Sequence, residues 1–276
     1  MQDSNLTESS VYVDDFRLQD LGLSVRLSSS EPALPNIRNQ SVVVPNRHGA
    51  FDYGGWLDAR EFTLDCVFDR RESYAELKRA IRKLNALFID EWGRPKTVKL
   101  RFGDNLNVYF NVRLTGGVPM ERRAHHGIFS LALTAFDPFS YSNVTSDEIT
   151  WGSEDIYFTA TYPLGHNGGN ATRKITGNTT FTTYVDGDAL RAVMTLAGSA
   201  LNVTISANGK AAALGAFNNA NITIDGEHYT VTKDGVNSLA LMTGDFIELL
   251  PGDNEITITG SYMNFDLTLR YRDRYV

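Results

Sequence analysis

The sequence predicts a mainly β protein with one α-helix, built as an N-terminal β-sandwich or split-barrel domain and a C-terminal antiparallel β-sandwich. Three observations carry this. Alternating apolar and polar residues recur in short runs along most of the chain, the mark of half-buried strands. One stretch alone, after Ser73, keeps a helical period. Turn signals of the Asn-Gly and Asp-Gly kind space the second half at short intervals, as antiparallel hairpins require.

In chain order, Phe16–Leu18 and Leu23–Leu27 alternate and read as strands, and polar, proline-marked Ser28–Pro35 reads as a loop. Val44–Trp56 is a turn cluster between apolar runs. Pro45 cannot donate a ladder hydrogen bond, and Gly49, Gly54 and Gly55 permit backbone angles closed to other residues. The expectation is a shaped loop joining a strand near Val42 to the strand Glu61–Phe68, which carries the only cysteine, Cys66. Ser73-Tyr74-Ala75-Glu76 has capping-box spacing. Leu77, Ile81, Leu84 and Phe88 then form an apolar stripe, opposite a basic face of Lys78, Arg79, Arg82 and Lys83, read as solvated or intersubunit. Gly93-Arg94-Pro95 closes the helix. Val98–Phe102 and Val108–Leu114 make a hairpin over Gly103-Asp104-Asn105, and Ile128–Phe136 is a strand stopped at Asp137-Pro138-Phe139.

Residues 1–145 are expected to form one domain, 146–175 a linker ending in the turn-rich Gly165–Asn170, and 176–276 a second domain. The second half alternates at Val193–Leu196, Leu201–Ile205, Ile222–Ile224, Tyr229–Val231, Ile256–Ile258 and Phe265–Leu269, with no convincing helix. Charge divides along the same line. Residues 1–145 hold 18 acids and 18 bases, leaving 15 and 8 of the chain's 33 and 26 for the rest, so the whole net charge of -7 lies there. An acidic second half argues against a groove for nucleic-acid phosphates, which needs excess Lys and Arg.

A lone cysteine cannot form an intrachain disulfide, which fits a reducing compartment, and its place in an alternating strand makes it a buried structural thiol. The first residues lack the basic-then-apolar pattern of a signal peptide, and no run of about 18 apolar residues would span a membrane. Triplets such as Asn202-Val203-Thr204 are chance sequons in an Asn/Thr-rich chain.

The chemistry of enzymes is missing. His125 and His126 are adjacent, so on a strand their rings point to opposite faces and share no metal. No zinc-ligand spacing, nucleophile elbow or phosphate loop is present. Asp225 and Glu227 are the carboxylate pair a glycan-degrading enzyme would need, but they sit in a turn. No catalytic residue, cofactor or metal is expected. A carbohydrate-binding adaptor is the alternative function, with Trp151, Tyr157, Tyr162, Tyr184 and Tyr229 as rings able to stack on a sugar of a host glycan.

Read together, Pro45-Asn46-Arg47-His48-Gly49, then Phe51-Asp52-Tyr53, the strand Arg60–Leu64, the capped helix and Phe136-Asp137-Pro138-Phe139-Ser140-Tyr141 resemble the distal tail protein (Dit) family of phages with long non-contractile tails. Ile222–Gly226, Leu249–Ile256 and Leu267–Arg272 are similar to pieces of that family's galectin-like sandwich. Asn46 stands where the family has Gly, and His48 where it has Asp or Asn. The resemblance implies a virion structural protein of the tail tip or baseplate, assembled in the host cytoplasm. A homo-oligomeric, hexameric ring of N-terminal domains would join the major tail tube protein to the tail-tip hub. The outer sandwiches would carry receptor-binding, host-adsorption proteins. No membrane and no specific nucleic acid are implied. The candidate interface loop is Pro45, Asn46, Arg47, His48, Gly49, Phe51, Asp52, Tyr53 and Trp56.

Overall fold

The computed structural model describes residues 10–26, 29, 31–69, 73–123, 126–148 and 172–276. Contacts divide the chain into two units, residues 1–140 with Val276, and 141–275. The expected strand end at Leu27, the histidine His125, the rings of Trp151, Tyr157 and Tyr162 and the turn Gly165–Asn170 lie outside the described residues.

In the first unit the strands are β1 (Val11–Val13), β2 (Phe16–Arg17), β3 (Leu23–Val25), β4 (Ile37–Val42), β5 (Phe51–Leu57), β6 (Arg60–Phe68), β7 (Thr97–Phe102), β8 (Asn105–Leu114), β9 (Glu121–Arg123) and β10 (His126–Ala135), with helix α1 (Tyr74–Phe88) between β6 and β7. Seven of them form one path, β2-β1-β7-β8-β10-β6-β3, and β9 pairs with β10. Laid flat, six steps between strands would set its edges about 29 Å apart. Yet only residues 18–22, a 3-10 turn and a left-handed Gly22, join β2 to β3 across those edges, a reach of at most about 20 Å. The sheet therefore curls towards closure, the split barrel expected. Leu18, expected to end a strand, opens that 3-10 turn and is buried in the core.

The longest pairing, β10 with β6, runs from Ile128 opposite Val67 to Ala135 opposite Arg60. Phe62, Leu64, Cys66 and Phe68 all point inward, as their period of two requires. Phe62 packs its ring 4.9 Å from that of Phe110. Burial, and then the Asp65 charge, push the Cys66 thiol up to about 12, so it stays protonated and inert. Helix α1 begins as its sequence says. The Ser73 hydroxyl accepts the N–H of Glu76 at 3.3 Å. Leu77, Ala80, Leu84 and Phe88 bury the inner stripe, while Lys78, Arg79, Arg82 and Lys83 are exposed.

The second unit holds β11 (Ser140–Ser142), β12 (Thr172–Ile175), β13 (Thr179–Val185), β14 (Leu190–Arg191), β15 (Val193–Ala200), β16 (Asn202–Ala207), β17 (Lys210–Leu214), β18 (Phe217–Asp225), β19 (Thr230–Lys233), β20 (Val236–Asn237), β21 (Met242–Gly244), β22 (Glu248–Leu249), β23 (Gly252–Ser261), β24 (Asn264–Arg270) and β25 (Arg274–Tyr275). Two sheets, β12-β24-β15-β18-β19-β20 and β13-β23-β16-β17-β21, share one core. Met194, Leu196, Ile222, Ile224, Phe265 and Leu267 from the first meet Val203, Ile205, Ile256 and Ile258 from the second. This is the antiparallel sandwich the sequence predicts. Its tightest turns are Asn208-Gly209 and Asp234-Gly235, each with both residues at positive φ. The start of the unit is tied to its end. The N–H groups of Ser142 and Ser146 donate to the carbonyls of Asp273 and Tyr271, and the Arg272 guanidinium donates to the Ser142 carbonyl at 2.9 Å. Much of the expected linker 146–175 lies outside the described residues. On its flanks, Ser146 belongs to this tie and Thr172–Ile175 is an edge strand.

Candidate functional site

Strands β4 and β5 form a two-stranded sheet of their own, paired with no other strand among the described residues. This corrects the expectation that all of Val44–Trp56 is a loop joining a strand near Val42 to the strand Glu61–Phe68. The stretch Val44–Trp56 is the tip and one leg of a hairpin arm, and Phe51, Asp52, Tyr53 and Trp56 are strand residues. The base of the arm closes where the Asp58 N–H donates to the Asn36 carbonyl.

The tip is built by its turn residues. The Arg47 N–H donates to the Val44 carbonyl at 3.2 Å. Pro45 therefore occupies the second and Asn46 the third position of a β-turn, and Asn46 has φ 62°, the left-handed value this turn demands there. Asn replaces Gly at little cost, because its short polar side chain tolerates that region. Gly49 supplies a second positive φ, 81°. Arg47 lays its guanidinium 3.9 Å from the centre of the Phe51 ring, a cation–π contact that anchors tip to leg. His48 is exposed in the tip, without a structural task visible among the described residues.

A bulge decides what the arm presents. Asn39 pairs with Gly55 but Ser41 pairs with Asp52, so Gln40 stands opposite two residues, Tyr53 and Gly54. Gly54 takes φ 89°, and the Asp52 carboxylate accepts its N–H at 2.9 Å. Side chains alternate along a regular strand, so without the extra residue Trp56 would face away from Phe51 and Tyr53. With it, the register sets Phe51 beside Val42 and Trp56 beside Arg38, residues that share one face of β4, and Tyr53, two residues from Phe51, lies on that same side. Gly55 allows the strands to approach on the other face. A Cβ there would lie 2.6 Å from the Asn39 side-chain oxygen and 3.2 Å from the Ile37 methyl.

That face is bare. Tyr53 is 60% exposed and Trp56 52%, with Val42, Val44 and Phe51 exposed beside them and Ile37 exposed on the other face. No residue from Ile37 to Trp56 is buried. Of the nine predicted site residues, Pro45, Asn46 and Gly49 shape the tip, Arg47 ties the tip to Phe51, Asp52 sets the bulge, Phe51, Tyr53 and Trp56 share an exposed face, and His48 stands exposed in the tip. Sequence reasoning placed a strand near Val42 but did not trace the other leg back to Ile37, since a strand with neither face buried has no hydrophobic period to read. It also passed over Trp92, 79% exposed on a turn where the Asp90 carboxylate accepts the N–H groups of Trp92 and Arg94 at 2.9 and 2.7 Å.

Elsewhere the carboxylate pair is a turn. Asp225 accepts the N–H groups of Glu227 and His228 and bonds the His228 ring at 2.8 Å. Burial raises its carboxyl, but these hydrogen bonds outweigh it and hold the group below its ordinary value. Such an acid is a poor proton donor at neutral pH. Tyr184 is half-buried. Tyr229 is exposed but has the Arg191 guanidinium 5.0 Å over its ring and the Phe246 ring edge-on at 5.2 Å. Among the described residues, no three His, Cys, Asp or Glu gather as a metal site, and no helix is long and apolar enough to cross a membrane.

Two family models match the chain. A phage tail protein RIFT-related domain matches residues 16–135, and the C-terminal domain of siphovirus-type tail components matches 169–275. Among solved structures, the crystal structure of the SPP1 Dit protein (gp 19.1), titled a paradigm of the hub adsorption apparatus of phages infecting Gram-positive bacteria, aligns over 97% of this chain and 99% of that one, with a TM-score of 0.68 at 15% identity. At that identity the likeness is one of fold. Chains of the phage P2 baseplate in its activated conformation align more loosely, with TM-scores of 0.42 with Ca and 0.43 with Sr at 10% and 12% identity, each over 95% of this chain and 94% of that one. No curated protein matches the sequence.

Proposed function

The chain belongs to the distal tail protein family of siphophages, structural components of the phage tail, and from that premise we propose that six copies close into a ring at the distal end of the tail tube. The N-terminal units, about residues 1–145, form the ring. One face of it meets the major tail tube protein and the other the tail-tip hub. The C-terminal sandwiches, about residues 176–276, lie outside and scaffold the proteins that adsorb to the host. The ring assembles in the host cytoplasm, where a single buried thiol needs no oxidation.

The bare aromatic face of the arm carries this reading. An isolated two-stranded hairpin is marginal in water and gains stability only from a third strand or a packed face. An exposed patch of three aromatic rings and several branched aliphatics is an interaction site by its composition. Closed rings are head-to-tail, so each copy must offer one surface that reaches and a different one that receives. An arm held clear of its own sheet suits reaching. The neighbouring copy would bury Phe51, Tyr53 and Trp56, and each arm would clasp the next around the ring.

Light scattering and negative-stain imaging of the purified chain, alone and with tail-tube and hub proteins, test this. Sixfold rings are expected in at least the mixed sample. A chain that stays monomeric and binds neither protein overturns the proposal.

A further inference from the structure

Two tyrosines of the C-terminal sandwich hold a left-handed backbone; Tyr229 has the Phe246 and Arg191 side chains against its ring, whereas Tyr262, at one end of the sandwich, presents its ring to solvent. The β23–β24 connection, which carries the chain from one sheet of the sandwich to the other, is the two residues Tyr262-Met263. Tyr262 takes φ 52°, a backbone state that bulky side chains rarely adopt and that Asn or Gly would hold more easily. Its ring is 86% exposed, so packing does not repay the strain. Local strain that the fold does not need marks a residue kept for another purpose.

The surroundings indicate which purpose. Leu201 is exposed beside this turn, its N–H donating to the Ser261 carbonyl at 3.0 Å. Asn202 pairs with Ser261, and Asn264 with Ser199. The Ser199 hydroxyl in turn donates to the Asn218 side chain at 3.0 Å. Residues 198–202, 215–221 and 259–264 contain no Asp, Glu, Lys or Arg, although this half of the chain carries all the net charge of -7. An exposed aromatic ring among neutral amides and hydroxyls is chemistry for a neutral sugar. The apolar face of a pyranose stacks on the ring, and amides donate to and accept from its hydroxyls.

We propose that this end of the sandwich, centred on Tyr262, binds neutral polysaccharide. The site is independent of the ring, but sixfold display would turn a weak single contact into firm attachment.

Affinity electrophoresis of the full chain tests it, in gels containing dextran, a β-glucan or a galactan, with polygalacturonate as the charged control. At least one neutral polysaccharide should retard the protein, and Tyr262→Asn should weaken that at least tenfold. Because Asn suits the turn, the same variant should melt a few degrees higher, which separates a lost ligand contact from a lost fold. Tyr262→Ala should lose binding equally. The proposal falls if no neutral polysaccharide retards the chain, if Tyr262→Asn binds as well as the parent, or if it instead loses a tail-protein partner. Scattering on the same samples keeps the two ideas apart, since ring mass should not change in either variant.

Discussion

The arm β4–β5 and the hairpin β7–β8 are built from the same parts and meet opposite fates. Each is two antiparallel strands with a short connection and a register irregularity. In β7–β8, Val98, Leu100, Phe110 and Val112 are buried, and neighbouring strands pair on both sides. In β4–β5 nothing from Ile37 to Trp56 is buried and no third strand pairs among the described residues. The first hairpin is explained by the fold of one chain. The second is not, and under the proposed function a neighbouring copy covers its apolar face. Within one domain, then, burial marks the residues that hold the fold, and the proposed assembly role falls on residues that folding leaves exposed.

Substitution should separate the two. Phe110→Ala removes a ring packed on Phe62 and should cost about 3–5 kcal/mol in urea unfolding of the monomer. A loss under about 1 kcal/mol would mean the core is looser than its burial implies.

The second unit offers a pH test of buried structure. Burial, with the Asp186 charge adding to it, raises the Asp273 carboxyl to about 6 from 3.8, against N–H donors from Asp186 and Gly187 that lower it. The folded state therefore holds this proton more tightly than the unfolded chain does. The resulting stability is complete below about pH 3.8 and is lost as pH rises through about 6, a span of about 3 kcal/mol. Asp147, Asp225 and Glu248, all held below their ordinary values, act with the opposite sign. The informative quantity is thus the difference between parent and Asp273→Asn. The variant should gain on the parent between pH 4 and 7, and parallel curves would contradict the assignment.

On the arm the outcome should invert. Trp56→Ala should change monomer stability by no more than about 0.5 kcal/mol, yet weaken assembly by about 2 kcal/mol or more per contact, as buried aromatic anchors do. Equal assembly of parent and variant, measured by sedimentation, would detach the arm from the interface. Smaller still, Gly54→Ala strains a φ of 89° and should cost about 1 kcal/mol. Its effect should appear in assembly, through a disturbed bulge that turns Trp56 away, more than in melting. Ser73→Ala, which removes the helix cap and touches no interface residue, should cost about 1 kcal/mol of stability and leave assembly intact.

The same contrast explains what the sequence reveals. β6, β8 and β10 are legible because one face of each enters a core, and burial writes a period of two into the residues. The Ser73 cap and the Asn208-Gly209 turn are legible because local chemistry alone requires them. β4 is legible only at its Val42 end, for want of a buried face, and β13, Thr179–Val185, is illegible because threonines stand at four of its seven positions and blur the period. Gly54 and Gly55 make β5 look like a loop, although they are the bulge and the close approach of a strand. That Phe51, Tyr53 and Trp56 share a face could not be read at all. Their spacing in a regular strand denies it, and only the register restores it. The candidate residues themselves were visible through Pro, Asn and Gly in a characteristic order, which marks where the arm is and not what it presents.

Hydrogen exchange across residues 36–58, in the free chain and after assembly with tail-tube and hub proteins, tests the central claim most directly. Amides of the arm should exchange fast in the monomer while those of β6 and β8 are protected, and assembly should slow the arm by an order of magnitude or more. An arm already protected in the monomer, or one still fast in the assembled tail tip, would contradict the account.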